Sequence, residues 1–477
     1  MFAFDSVLGV INDWMLRNDG DYLLLYKIST TEAKTWVLDP LQALVVCLID
    51  GGTCYGNLVQ ELGKILAVSC DRSKELLDGV LSVLNADEGI VEDVKLTRCR
   101  SFSTEDFFIP LAQYRPPDTA RLALPTKIGL FVTARCCADC VYCYADRRAA
   151  TSTSLLQYSR WKEIIDECID LRILNLDLLG GDTLSTNGAR DVLMYLLKSG
   201  IQAFVSTKCE ITPQIAGELV EAGFLDTEYS EENILQLSID CADPSLADYL
   251  SGAEDFLGRC TRSVAACLAA GVHPRVKSVL TSRNFDRISS VVEYFSQRGV
   301  QDFQFVQYGI SHFRYREDLF LSSDQKARIR DDAASVRSLN PELTIAVQDD
   351  IDQPLTATEK QEAWQRRARC TGGFTSIVIT PEGDVIACEQ LPQTSEFILA
   401  DLRDGSIRDA WKDARFDAFL FPERSLYAGS PCERCEDFLA CHADAGFCYR
   451  DSLLAYGTVY EAPPSCPRQT RQGRRLL

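Results

Sequence analysis

The cysteine and histidine counts constrain this chain more than any other feature of its sequence. It has 20 cysteines but only 3 histidines among 477 residues. Disulfide scaffolds are usually short and secreted, whereas this chain is long and its start, MFAFDSVLGV, has no basic leader segment. Thiols retained in a reducing compartment usually ligate metal or take part in chemistry. Because histidine is scarce, a metal site must be rich in thiolate, which indicates iron–sulfur clusters or zinc in a cytoplasmic protein.

The cysteines fall into groups along the chain. One group lies close together: Cys136, Cys137, Cys140 and Cys143. A second group fills the C-terminal region: Cys370, Cys388, Cys432, Cys435, Cys441, Cys448 and Cys466. The remaining nine lie singly within apolar patterns, and we expect them to be small core residues.

Charge and hydropathy exclude two classes of partner. The formal net charge is −20 and the pI is about 4.7. Nucleic acids and anionic membrane surfaces are bound through lysine and arginine, so neither is expected as a partner. No apolar run approaches the ~18 residues that a membrane-spanning helix needs, so no membrane association is expected.

The first region, residues 1–98, is predicted to be a small domain of its own. Alternating apolar residues predict a strand pair at 21–28 and 34–38. Three helices are then predicted, beginning at Asp39, Thr53 and Asp71. Short strands followed by three helices indicate a winged-helix-like fold. Residues 99–122 lack a clear period and contain a Pro-Pro pair, which predicts a linker.

Strands and helices alternate over residues 123–320. The predicted strands are 126–133, 173–179, 201–207, 234–240, 275–281 and 302–308. Such alternation gives a parallel sheet with helices outside it, and six units are too few for a closed eight-stranded barrel. We therefore predict an open α/β barrel, partial (β/α)6, with its site at the carboxyl ends of the strands. A charged helical bridge is predicted over 321–365 and a turn-rich, cysteine-rich domain over 366–477.

The first cysteine group has the spacing Cys136-x3-Cys140-x2-Cys143 on the loop after the first barrel strand. Three thiolates on one tight loop can hold three corners of a [4Fe–4S] cluster and leave the fourth iron open for chemistry. A zinc knuckle or a redox dithiol is the alternative interpretation. The side chain of Cys137 is expected to point away from the loop.

This motif, with Tyr142 before its last cysteine, resembles that of the radical S-adenosylmethionine (SAM) enzymes. The resemblance implies that the open iron binds SAM, which one electron cleaves to a hydrogen-abstracting 5′-deoxyadenosyl radical. It also implies SAM contacts at strand ends, from Tyr142, Gly180, Gly181, Asp182, Ser206, Thr207, Ser238, Asp240, Thr281 and Asn284. Asp182 stands where the family has glutamate. Ordinary helix caps and turns are the alternative role for these residues.

The C-terminal cysteine array resembles the SPASM domain, which carries two auxiliary [4Fe–4S] clusters, for three in all. The resemblance implies one cluster on Cys432, Cys435, Cys441 and Cys466, and another on Cys370, Cys388 and Cys448. The last gap, six residues before Cys448, is longer than in the family. Three ligands would leave an iron open to a substrate thiolate, unless a distant cysteine, a glutamate or water fills the position. Two zinc ribbons are the alternative.

Glu389 directly follows Cys388, where related maturases carry an acidic residue proposed as a base. We name it as the candidate catalytic base. A solvated loop carboxylate is the alternative interpretation.

The segment WVLDPLQALVVCLIDGGT and the two helices after it resemble the recognition element of enzymes that modify ribosomally synthesised peptides (RiPPs). In that family the leader of a precursor peptide adds a strand to the edge of a sheet. A winged helix could instead bind DNA, but acidic residues outnumber basic ones in this region. A purely structural domain is the other alternative.

Together these features predict a radical SAM maturase that forms thioether links in a precursor peptide, as in sactipeptide and ranthipeptide maturases. A flavodoxin or ferredoxin is the expected electron donor. Carbon–carbon or ether cross-linking, epimerisation and formylglycine formation are alternative reactions. A non-catalytic iron–sulfur or zinc scaffold that binds a peptide is an alternative from another class.

Overall fold

The computed structural model describes residues 2–29, 34–86, 89–145, 154–229, 231–309, 311, 313–348 and 356–474. The chain forms two compact units. The first comprises Met1–Asp118 and Asp226–Glu232, and the second comprises Thr119–Leu225 and Asn233–Leu477. Among the described residues, no helix combines the length and apolarity that crossing a bilayer requires.

The first unit contains two small antiparallel sheets and three helices. Its elements are β1 (Leu8–Ile11), β2 (Trp14–Asn18), β3 (Leu23–Lys27), β4 (Thr35–Val37), α1 (Pro40–Leu48), α2 (Tyr55–Leu66), α3 (Cys70–Leu84), β5 (Val91–Asp93) and β6 (Cys99–Arg100). The sheet orders are β2-β3-β4 and β5-β1-β6. Strands β3 and β4 and all three helices were predicted, whereas β1 and β2 were not.

Local capping explains where the helices of this unit begin. Asp39 accepts hydrogen bonds from the backbone of Leu41 and Gln42 and forms a capping box with Gln42, as expected before Pro40. Thr53 does not cap α2, because Cys54 occupies the N-cap position and the Thr53 hydroxyl donates to Asp50 in the preceding turn.

The predicted linker also differs from the structure. Its first residues form β6, in which Cys99 pairs with Ile11 of β1. The first compact unit therefore extends past residue 98, to Asp118.

The second unit begins with six alternating strands and helices, and all six predicted strands are present. The strands are β7 (Lys127–Thr133), β8 (Asn175–Gly180), β9 (Phe204–Thr207), β10 (Ile234–Ser238), β11 (Arg275–Leu280) and β12 (Asp302–Gln307). The helices are α4 (Tyr158–Asp170), α5 (Asn187–Lys198), α6 (Pro213–Glu221), α7 (Pro244–Ser251), α8 (Phe256–Ala269) and α9 (Ile288–Ser296).

The remainder of this unit mixes short helices and strands. Its elements are α10 (Ser323–Leu339), β13 (Thr344–Val347), α11 (Ala357–Gln365), β14 (Ser376–Ile379), β15 (Asp384–Ile386), β16 (Ala400–Asp401), α12 (Ile407–Trp411), α13 (Ala414–Leu420), α14 (Phe438–Ala440) and α15 (Tyr449–Tyr456). Residues 349–355 of the predicted helical bridge lie outside the described residues.

Two five-stranded sheets organise the second unit. One is wholly parallel, in the order β13-β12-β11-β10-β9. In the other, β8, β7 and β14 are parallel, and β15 and β16 continue the sheet antiparallel. Strands β13 and β14 extend the parallel architecture beyond the six predicted strands. Both are four residues long and lie in segments whose composition predicted a helical bridge and a cysteine-rich domain.

Two glycines let the end of β8 pack against the start of the first cysteine loop. The N–H groups of Gly181 and Asp182 donate to the carbonyls of Thr133 and Arg135, at 2.7 and 2.8 Å. A Cβ on Gly181 would lie 2.0 Å from the Arg135 oxygen. Gly180 has a φ of 122°, which side chains disfavour. The cysteine loop therefore begins from a fixed backbone contact.

We predict that Gly181→Ala lowers the free energy of unfolding by about 3 kcal/mol, because its methyl group overlaps a backbone oxygen that cannot move freely. Gly188→Ala in α5 is the matched control, since its Cβ meets nothing within 4 Å. Chemical denaturation of the two variants checks this. Equal stability of both variants would contradict the close approach.

Candidate functional site

The first cysteine group lies on the loop that leaves β7, and hydrogen bonds hold that loop from several sides. Asp139 and Val141 donate their N–H groups to the carbonyls of Ser251 and Leu250, at the end of α7. Arg314 donates to the Cys140 carbonyl at 2.6 Å. These contacts fix the backbone around the thiols of this loop.

The thiols of Cys136 and Cys143 lie close enough to Cys140 for their charges to affect the pKa of its thiol. Burial raises the pKa of the Cys140 thiol to about 12, the charge of Lys208 opposes the shift, and Asp240 and the other two thiols add to it. Metal binding removes thiol protons, so such a group is suited to a cationic cluster and unfavourable as free thiolates.

Cys137 does not point away from the loop, which corrects the expectation from sequence. Its Sγ lies 3.9 Å from Oδ2 of Asp182. The ligand atoms of Cys136, Cys137 and Asp182 all lie within 4.8 Å of one another. The Cys137 thiol therefore lies beside Cys136 and Asp182, because the Gly181 contact brings Asp182 next to this loop.

Asp182 joins the carboxyl ends of two strands that belong to different sheets. Its carboxylate accepts hydrogen bonds from the Thr207 hydroxyl at 2.8 Å and from the backbone N–H groups of Lys208 at 2.7 Å and Cys209 at 3.2 Å. It also caps the turn that follows through the N–H of Leu184. Asp182 and Thr207 are buried with protein partners, and their direct contact with SAM stays a prediction.

Asp240 forms a second buried centre, at the end of β10. Its carboxylate accepts from the Tyr142 hydroxyl, from Nζ of Lys208 at 3.0 Å and from the N–H of Val279 at 3.0 Å. Burial would lower the pKa of Lys208, but Asp240 outweighs it and raises that pKa. Burial, and next the Asp240 charge, raise the pKa of Tyr142 well above its usual range. The loop tyrosine is thus held in its neutral, hydrogen-donating form.

Lys208 was missed by the sequence reasoning. Its Nζ also donates to the Ser238 carbonyl at 2.7 Å, so its charge lies between the ends of β9 and β10. The available signal was its position, directly after the polar residues that end a predicted strand.

The other predicted SAM contacts differ in accessibility. The hydroxyls of Ser206 and Ser238 lie 3.2 Å apart, and Ser206 is exposed. Thr281 and Asn284 are fully buried. Asn284 donates to the carbonyls of Asp240 and Val279 and accepts from Thr281. These hydrogen bonds hold the backbone around Asp240, just after β10. Direct contact of Asn284 with SAM stays a prediction.

Four C-terminal cysteines share one pocket, which encloses about 450 Å³ of space that is partly open to solvent. They are Cys432, Cys435, Cys441 and Cys466. Within the described part of the chain, two buried polar atoms of the surrounding residues have no hydrogen-bond partner, Nε2 of His442 and the hydroxyl of Tyr427. Convergent thiols with orphaned polar groups nearby fit a thiolate-bound cluster.

Cys370, Cys388 and Cys448 form a separate group. Burial raises the pKa of each thiol, and the charge of Cys370 adds to the rise at Cys388 and Cys448. Arg450 acts against the shift at all three thiols. Its guanidinium is held by Gln390 at 3.0 Å and by Asp451 at 2.6 Å. A half-buried cation thus faces this group of thiols.

Glu389 connects this group with the first cysteine loop. It hydrogen-bonds Tyr144, the residue after Cys143. Burial, and next the charge of Asp177, raise the pKa of Glu389 to about 7. Asp177 itself is paired with Lys127 at 2.5 Å. The structure therefore brings the candidate base close to both the first cysteine loop and the three-cysteine group, which consists of Cys370, Cys388 and Cys448.

This chain is similar to known proteins, both in part of its C-terminal region and over most of its length. Residues 370–436 match the SPASM family, described as an iron–sulfur cluster-binding domain. The PqqA peptide cyclase of Xanthomonas campestris pv. campestris is 23% identical over 350 residues, which cover 72% of this chain and 87% of the relative. The PqqA peptide cyclase of Streptomyces rochei is also 23% identical, over 351 residues, with 72% and 89% covered.

Solved structures extend the likeness to nearly the whole chain. Streptococcus suis SuiB bound to its precursor peptide SuiA superposes with a TM-score of 0.65 at 16% identity, covering 96% of this chain and 99% of that one. SuiB bound to S-adenosylmethionine gives a TM-score of 0.63 at 15% identity, with the same coverage. This chain therefore has the fold of SuiB, and its residues 370–436 match an iron–sulfur cluster-binding domain.

Proposed function

We propose that this chain is a radical SAM maturase that forms thioether cross-links in a ribosomally synthesised precursor peptide. The observation that carries the proposal is the Tyr144–Glu389 hydrogen bond, which joins the loop of Cys143 to the three-cysteine group containing Cys388. A substrate residue at this junction would reach a radical source and a sulfur-binding site together.

The first loop supplies the radical source. Cys136, Cys140 and Cys143 would hold a [4Fe–4S] cluster, which with bound SAM and one electron supplies a 5′-deoxyadenosyl radical that removes a hydrogen atom from the peptide. The exposed Ser206 and its neighbour Ser238 offer hydroxyls to SAM at the strand ends. Asp240, which Lys208 holds in place, accepts a hydrogen bond from Tyr142 and keeps that side chain oriented.

The second group would hold the sulfur. Cys370, Cys388 and Cys448 would hold an auxiliary cluster through three thiolates, and such a cluster would supply a binding position for a substrate thiolate. Arg450 favours the thiolate form of the thiols it faces. Glu389 would take the substrate thiol proton.

Bond formation then balances in atoms and electrons. One carbon–hydrogen and one sulfur–hydrogen bond are lost and one carbon–sulfur bond is gained. The hydrogen atom leaves with deoxyadenosine, the proton goes to Glu389, and the remaining electron goes to the auxiliary cluster. A third cluster would occupy the pocket of Cys432, Cys435, Cys441 and Cys466, and a flavodoxin or ferredoxin would supply electrons from outside.

The first unit would recognise the leader of the precursor peptide. Strand β4, three residues long, is at an edge of the β2-β3-β4 sheet. An extended leader can add to such an edge through backbone hydrogen bonds, with side-chain pockets giving specificity.

Carbon–carbon cross-linking is the second candidate. The PqqA peptide cyclases are similar to most of this chain, and a peptide ring can be closed through carbon as well as through sulfur. In that case Cys370, Cys388 and Cys448 would have a further protein ligand, and the auxiliary cluster would only accept electrons.

We predict that replacing Cys136, Cys140 and Cys143 together by alanine abolishes deoxyadenosine formation, because these thiols hold the radical-generating cluster. Anaerobic product analysis and iron determination check this, with iron retained in the auxiliary sites. Cys70→Ala is the control, since Cys70 is exposed on α3. SAM cleavage retained in the triple variant would refute the assignment, and stoichiometric zinc without SAM cleavage would favour a binding scaffold.

We predict that co-expression with a cysteine-containing precursor peptide gives a product lacking two hydrogens per link. One free thiol should disappear for each link, because sulfur joins carbon. Mass spectrometry after iodoacetamide treatment counts the remaining thiols, and alkylating the peptide beforehand should block the reaction. A product with all thiols free and a new carbon–carbon bond would instead support the second candidate.

We predict that Glu389→Gln lowers peptide cross-linking about 100-fold, since an amide cannot accept the thiol proton. Deoxyadenosine formation and iron content should stay near those of the unmodified protein. Glu396→Gln, an exposed carboxylate of the same region, is the matched control. Equal cross-linking by both variants would remove Glu389 from the mechanism.

A further inference from the structure

Arg367 lies between the end of α11 and Cys370, and its guanidinium reaches a thiol of the four-cysteine pocket. Its Nη2 donates to Sγ of Cys441 at 3.4 Å. Its Nε donates to the Gly446 carbonyl at 3.2 Å, and its Nη1 donates to the Trp364 carbonyl. The guanidinium also stacks on the Trp364 ring, 3.8 Å from its centre. Four contacts therefore fix one cation against one predicted cluster ligand.

The neighbouring arginine has a different environment. The Arg366 side chain is 78% exposed and forms an ion pair with Glu362 at 3.6 Å. Solvent screens an exposed pair of this kind, whereas Arg367 is partly buried beside a thiol. Two consecutive residues of equal charge thus differ in their exposure and partners, and Arg367 is the one of the pair that contacts a thiol.

The backbone contact of Arg367 connects both auxiliary sites. Gly446 lies in the loop between Cys441 and Cys448. These two cysteines belong to different predicted ligand sets. A Cβ on Gly446 would lie 2.4 Å from the Cys370 nitrogen, so this loop is in close contact with the backbone of Cys370, a predicted ligand of the other site. Trp364 and Gln361 of α11 line the pocket. Holding this loop fixes where the Cys441 thiol stands.

We propose that Arg367 is a positioning residue that donates a hydrogen bond to the Cys441 sulfur and raises the midpoint potential of the cluster that Cys432, Cys435, Cys441 and Cys466 would hold. A fixed positive charge that donates to a ligand sulfur stabilises the reduced, more negative form of such a cluster. The inference rests on the iron–sulfur chemistry of the proposed function.

The experiment uses the full chain, reconstituted anaerobically, with Cys136, Cys140 and Cys143 replaced by alanine so that only auxiliary clusters give signals. Midpoint potentials are measured by redox titration followed with electron paramagnetic resonance, and iron and sulfide are counted. Arg367→Gln is compared with Arg366→Gln. We expect Arg367→Gln to lower one midpoint potential so that the oxidised-to-reduced ratio changes about tenfold, which is ~59 mV for one electron, while Arg366→Gln leaves it unchanged.

Full iron content with an unchanged potential in Arg367→Gln would overturn the inference. Should Arg367→Gln lose iron, Arg367→Lys decides, because lysine keeps the charge but cannot form the three guanidinium hydrogen bonds that fix it beside Cys441. Without the fixed donor the potential is expected to fall while the cluster is kept, and an unchanged potential would overturn the inference, which assigns the effect to that fixed donor. The titration needs no turnover, so failure of the proposed function would appear separately, as absent cross-linking by the full chain with an intact radical site.

Discussion

The carboxylate of Asp182 is the interaction on which the candidate site depends. It stands at the end of β8 and accepts hydrogen bonds from Thr207, the last residue of β9 in the other sheet, and from the two residues after it, Lys208 and Cys209. A buried carboxylate is costly unless its lone pairs are satisfied, and charged acceptors form the stronger hydrogen bonds. Two strand ends are therefore held together by a group that is stable only when both are in place.

Each of the three thiol groups has a positively charged side chain beside it. Lys208 acts on Cys140, Arg450 acts on the group of Cys370, and Arg367 donates to Cys441. In a chain with a net charge of −20, placing positive groups at the thiols opposes the general repulsion that thiolates would meet. The same arrangement favours the deprotonated thiols that iron requires.

The patterned parts of the chain were predictable. Six strands of the second unit follow apolar runs, and the spacing of Cys136, Cys140 and Cys143 predicts a metal site on one loop. Strand β13 was not found, because four residues carry too little periodicity to stand out between charged segments. Lys208 was not found either, since its function depends on Asp240, which lies 32 residues away.

The sequence by itself determined the kind of chemistry, since the number and spacing of thiols and the scarcity of histidine are local facts that no fold can alter. It also determined the parallel α/β architecture, because buried strands and helices alternate with a regular period. Only the tertiary structure decided which thiols share a site, that Cys137 faces Asp182, and that Glu389 meets Tyr144. Those pairings join residues far apart in the chain, and packing between elements, which sequence spacing does not encode, sets their distances.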